Sequence, residues 1–146
     1  MVYFYHCYRG AHLSITAAAL HLGKITVRSG VKELLALQYF DILQPEDMGT
    51  PVLAGYDRDN NPVYFVGLGR GSKIFARFAD SLVRQLGLDI QYKSVDCLPC
   101  LNIFTRVGGF LARFRGIGVL GRRLAAWGVA KNLDRLHSLV LQAQGR

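Results

Sequence analysis

Val2-Tyr3-Phe4-Tyr5-His6-Cys7-Tyr8-Arg9-Gly10-Ala11-His12-Leu13-Ser14 is the stretch that decides the fold. Residues 2–7 are bulky and largely aromatic, without Gly or Pro, and read as a buried strand. Gly10 ends that strand. Residues 13–22 are rich in alanine and close on Gly23-Lys24, a common helix stop. The chain therefore opens with a strand, a tight turn and a helix. In open α/β sheets, ligands gather beyond the carboxyl ends of the strands, and a first turn of this kind is a usual place.

Working outward, Ser29 is positioned to cap a second helix over residues 31–39, with Glu33 near its positive end. Residues 45–51 form a loop. Residues 52–56 and 63–67 read as strands joined by Asp57-Arg58-Asp59-Asn60-Asn61-Pro62, a run of turn formers that makes them a hairpin. Residues 73–86 form an amphipathic helix with Ile74, Phe75, Phe78, Leu82 and Leu86 on one face. Residues 90–95 form a further strand. After Pro99 the pattern is helical only, over residues 102–114 and 120–142. The order β-α-α-β-β-α-β-α-α predicts an α/β fold. It is a small three-layer sandwich with a mainly parallel sheet, one antiparallel hairpin and a helical C-terminal segment. The 146 residues are expected to form one domain, with 1–100 making the sheet part and 101–146 the helical part.

Composition narrows the function classes. Half of the residues are hydrophobic, which excludes a disordered chain. No stretch of about 20 residues is free of charge, so no membrane span is expected. There is no basic leader followed by an apolar run. The expected location is the cytoplasm, where Cys7, Cys97 and Cys100 stay reduced. The net charge is +8, and it is concentrated. Between Asp96 and Asp134 lie five arginines and Lys131 but no acidic residue. Such a tract suits phosphates of nucleic acid, nucleotides or anionic lipid, and equally suits a solvated helix face.

The first turn is the leading candidate site. Amides at the start of the following helix attract an anion, and Gly10 lets the backbone approach it. Candidate ligand contacts are His6, Tyr8, Arg9, Gly10, Ala11 and Ser14; Cys7 and His12 are the candidate catalytic groups. The phosphate loop of nucleotide hydrolases needs a lysine beside its serine, and this turn has none. The pattern His-Cys-x-x-Gly-x-x-Arg-Ser/Thr of cysteine-dependent phosphatases is met at His6, Cys7, Gly10 and Ser14. It fails at Leu13, where the phosphate-clamping arginine belongs. A second anion nest is offered by Gly69, Arg70, Gly71 and Ser72, with Ser72 equally placed as an ordinary helix cap. Gly116-x-Gly118-x-x-Gly121 spells a dinucleotide fingerprint but has no strand before it. Cys97-Leu98-Pro99-Cys100 has redox spacing. A zinc site would need two more ligands, so no metal is expected.

Tyr5-His6-Cys7-Tyr8, Gly10-Ala11-His12, Ser14 and Ala17-Ala18-Ala19-Leu20-His21-Leu22-Gly23 together resemble domain-of-unknown-function family 3189, known from Firmicutes. Gly55-Tyr56-Asp57, Asn61-Pro62-Val63-Tyr64 and Arg106-Val107-Gly108-Gly109-Phe110-Leu111 are similar to it as well. The chain departs from the family pattern at Arg9 and Leu13, where glycine and serine are usual. The resemblance implies an intracellular protein and names no substrate or cofactor. The expected function is binding of a phosphorylated small molecule or nucleotide at the first turn, with phosphoryl transfer or phosphoester hydrolysis as the reaction if the protein is an enzyme. The competing expectation is a non-catalytic regulatory or interaction protein that meets nucleic acid or another partner through its basic C-terminal helices.

Overall fold

The computed structural model describes residues 1–145. Its elements are β1 (Val2–Cys7), α1 (Leu13–His21), α2 (Val31–Leu35), β2 (Val52–Tyr56), β3 (Pro62–Gly67), α3 (Ser72–Gln85), β4 (Tyr92–Asp96), α4 (Ile103–Leu111), α5 (Gly118–Lys131) and α6 (Leu133–Gln144). The sheet order is β2-β3-β1-β4. β1 runs parallel to both β3 and β4, and β2 pairs antiparallel with β3. The expected α/β class, mixed sheet and helical C-terminal segment are all present.

Alternation along β1 sorts the two faces of the sheet. Tyr3, Tyr5 and Cys7 point into the core, where every residue of α1 is buried and α6 packs alongside through Leu136 and Val140. Phe4 points the other way. Its ring stacks on Tyr64 at 5.2 Å and meets Phe75 of α3 edge-on at 5.6 Å. Tyr92 donates its hydroxyl to the Ala76 carbonyl, which ties α3 to the edge strand.

Four expectations change. The second helix stops at Leu35 instead of residue 39. Arg122 donates to the carbonyls of Leu35 and Phe40, and the Asp41 amide donates to Ala11. These long-range bonds replace the helical ones and hold Tyr39 and Asp41 at positive φ. Gly30, not Ser29, sits at that helix's N-cap, where its amide donates to the Glu33 carboxylate. The long C-terminal helix is two helices, parted at Asn132. The Asn132 side chain donates to the Cys100 carbonyl and turns the chain there. Finally, α3 turns Phe75 onto the sheet but leaves Ile74, Phe78, Leu82 and Leu86 exposed, the first two by 65% and 62%. The sheet face beneath is already filled by the rings of Phe4, Tyr64 and Tyr92.

Two glycine contacts set the close approaches. Gly10 lies at φ +76°, and a Cβ there would stand 2.6 Å from the Gly67 amide nitrogen. Gly10→Ala is expected to cost about 2–5 kcal/mol, combining a left-handed conformation with overpacking. The cost should appear as a lower urea midpoint with an unchanged slope.

Candidate functional site

The Gly10–Gly67 crossing brings the turns after β1 and β3 together. The Leu68 amide donates to the Cys7 carbonyl at 3.0 Å, and the Gly69 amide to the Tyr8 carbonyl at 2.9 Å. These bonds press the turn that carries Arg70 against the turn that carries Arg9. α4 then folds back over both. Gly109 lies against the His12 ring, so close that a Cβ would come to 2.9 Å of its Cε1. Between these three stretches lies a cavity of about 440 Å³.

Arg9, Arg70, Arg106 and Arg113 all line it, and its wall contains no carboxylate. Leu98, Leu101 and Phe110 supply an apolar side, and Cys7, Tyr8 and His12 close the floor. Arg70, Arg106 and Arg113 are exposed, so solvent screens their mutual repulsion; Arg9 is the most buried of the four. Burial lowers its pKa first, and the neighbouring charge of Arg113 lowers it further, against the opposing pull of Asp41 and Cys7. A perturbed charge in a hollow makes the hollow a candidate functional site. The amides of residues 8–12 donate to no acceptor among the described residues, although Ala11 and His12 are buried.

The expected site residues separate into two groups. Cys7, Tyr8, Arg9, Ala11, His12 and Arg70 share the cavity. The others do not reach it. His6 is on the opposite face of β1, 3.7 Å from Asp96, with its pKa lowered by burial against the pull of that carboxylate. Gly10 serves the crossing with Gly67. Ser14 is fully buried behind Cys7, Oγ to Sγ 3.2 Å. Gly69 and Gly71 shape the second turn, where the Gly71 amide donates to Leu68. Ser72 is the first helical residue, with Gly71 at the N-cap, so its hydroxyl caps nothing.

The candidate catalytic groups are both held by neighbours. The His12 ring donates from Nε2 to Asp41 Oδ1 at 2.9 Å, an orientation that fixes the imidazole against the cavity. The Cys7 thiol shares a hydrogen with the Ser14 hydroxyl. Cys97 and Cys100 are buried and unbridged. Burial, then the charges of Cys7 and Cys100, push the Cys97 thiol up; burial also raises Cys100, with Arg135 opposing. Both are protonated thiols in a tight turn, which is poor redox chemistry. Gly121 of the dinucleotide-like run lies at a helix contact, against Leu111 and Ala112. Among the described residues no His, Cys, Asp or Glu cluster could hold a metal ion, and no helix is long and apolar enough to cross a membrane.

Arg106, Arg113 and Phe110 were not foreseen as site residues. Their signal was the acid-free basic tract, but spacing alone does not say that α4 returns to the first turn. The chain belongs to the protein family of unknown function DUF3189. The family model matches residues 2–145. No curated protein and no solved structure matches the chain. The stretches that resemble this family contribute Cys7, Tyr8, Ala11, His12, Arg106, Gly109 and Phe110 to the cavity wall.

A second polar centre lies away from the cavity. Tyr5 donates its hydroxyl to His21 Nδ1 at 2.7 Å, and His21 Nε2 donates to Asp57 Oδ2 at 3.2 Å. Burial raises the Asp57 pKa, but hydrogen bonds from the Asn61 side chain and amide, from His21 and from the Asp59 amide outweigh it. Its carboxyl is therefore held below the usual range. A depressed carboxylate stabilises the fold fully above its unfolded pKa of about 4 and loses that contribution as pH falls through the lower folded value. Asp57→Asn should lower stability at neutral pH and flatten the acid limb of the pH–stability curve, measured by urea unfolding from neutral pH down into the acid range.

Proposed function

We propose that this protein binds a phosphate-bearing small molecule with an apolar moiety, as in a nucleotide, in the cavity between the first turn and α4. The observation that carries this is the convergence of Arg9, Arg70, Arg106 and Arg113 on a hollow lined by no carboxylate. Guanidinium groups grip phosphate oxygens through paired, planar hydrogen bonds. The amides of Tyr8, Arg9, Ala11 and His12, residues of the cavity wall, add donors that need no side chain. Leu98, Leu101 and Phe110 offer an apolar wall for a base or similar flat group. The cavity volume falls within the range of small-molecule sites. The working location is the cytoplasm, where phosphorylated metabolites are plentiful and buried thiols stay reduced.

Binding alone accounts for this geometry, and Leu13 still denies Cys7 the usual phosphatase clamp. Should turnover accompany binding, phosphoester hydrolysis is the reaction to assay, with Cys7 as nucleophile and Ser14 steadying its thiolate. The competing reading, partner recognition by the basic helices, loses two of its charges to the cavity and a third to the fold. Arg106 and Arg113 face the hollow, and Arg122 is engaged with the carbonyls of Leu35 and Phe40.

A thermal-shift screen with pyrophosphate, ATP and phosphorylated metabolites tests the proposal. A ligand at about 100 times its dissociation constant should stabilise the fold by roughly 2.7 kcal/mol. Arg113→Gln should weaken that ligand about tenfold or more, while leaving the ligand-free melting temperature unchanged or raised, because it relieves repulsion with Arg9. No shift with any phosphorylated compound would sink the reading.

A further inference from the structure

The hairpin of α4 and α5 is held together by backbone contact. A Cβ on Gly108 would stand 2.7 Å from Ala125 Cα, and one on Gly128 would come 2.6 Å from Thr105 Oγ1. With glycine and alanine on the inside, the large apolar side chains of both helices are turned outward. The tip that joins the helices shows the result most clearly. Phe114 and Ile117 are exposed, and Val119 and Leu120 are exposed by 72% and 66%. Arg113 and Arg115 alternate with them, and no acidic residue lies anywhere from 97 to 133. Small residues between helices with large apolar groups facing outward is the packing of helices in apolar surroundings, not of a water-facing hairpin.

We infer that the α4–α5 tip docks peripherally on an anionic lipid surface, with Phe114, Ile117, Val119 and Leu120 entering the acyl boundary and Arg115 meeting lipid phosphates. Charge complementarity selects this occupant. An apolar projection that carries Arg115 and no acidic residue matches an interface whose outer layer is anionic and whose interior is hydrocarbon. A second copy of the chain would bring arginine against arginine. Single-stranded nucleic acid wants aromatic platforms for its bases, and this tip is mostly aliphatic with one phenylalanine. The tip residues other than Arg113 lie outside the cavity wall, so the inference does not rest on the proposed ligand.

Co-sedimentation with vesicles tests it, using the whole chain. The protein should pellet with phosphatidylcholine vesicles that contain about a third phosphatidylglycerol, and stay in solution with phosphatidylcholine alone. The double variant Val119→Asp, Leu120→Asp should lower the partition at least tenfold. Both changes fall in the first turn of α5, where aspartate favours the helix, so the fold should survive. Arg115→Glu should lower partition by more than about fivefold and make what remains less sensitive to salt, because less electrostatic attraction is left to screen. Equal recovery with both vesicles, or partition that the double variant leaves intact, would overturn the inference. So would a lipid-independent dimer dissolved by the double variant, or vesicle binding abolished by a short RNA competitor. Phosphate-ligand binding measured on the same variants should be unchanged, which separates this inference from the cavity proposal.

Discussion

One contact holds the working end of this protein in place: the backbone of Gly10 against the backbone of Gly67. No side chain fits between them. Two parallel strands can therefore end at the same level with their following turns pressed together, and two amide–carbonyl bonds stitch the turns. The turns that carry Arg9 and Arg70 are neighbours because of this crossing, although sixty-one residues separate the two arginines in sequence. The same device recurs where α4 meets α5 at Gly108, and where Gly109 meets the His12 ring. In each case the missing Cβ admits a close neighbour: a backbone at Gly10 and Gly108, the His12 ring at Gly109.

The outcome is a site whose polarity comes from exclusion. Asp41 is the nearby acid, and it is engaged with His12 behind the wall. Asp41 therefore acts on Arg9 from behind the wall and puts no carboxylate into the hollow itself. The repulsion among the arginines falls mainly on Arg9, the least exposed of the four, which burial and the charge of Arg113 both disfavour. The polar chain from Tyr5 through His21 to Asp57 is the opposite case. There every group has a complementary neighbour, and the arrangement acts as a clasp between the core and the hairpin turn.

Much of the fold was readable from local pattern. The aromatic run of β1, the alanine-rich α1 and the turn formers at 57–62 each point to one structure by their own chemistry. What was not readable depended on bonds between distant residues. The second helix ends early because Arg122, far along the chain, holds its carbonyls. The final helix breaks at Asn132 because Cys100 offers an acceptor. The cavity follows the same rule. The members contributed by the first turn were legible, since a strand-to-helix turn announces itself. Arg106, Arg113 and Phe110 were hidden because no periodicity records which surface an amphipathic helix returns to. Ser14 was misplaced for a related reason: facing inward or outward at the start of a buried helix is settled by packing, and Ser14 was drawn beneath Cys7.

The glycine-lined helical hairpin has a mechanical consequence. Helices joined backbone to backbone lack the compliant layer of side chains that lets most helix pairs slide. α4 and α5 are therefore built as one rigid unit, with the 113–120 tip at one end and Arg106 on the shaft. A displacement at the tip would carry that guanidinium with it, because no layer of side chains lies between the two helices to absorb the shift.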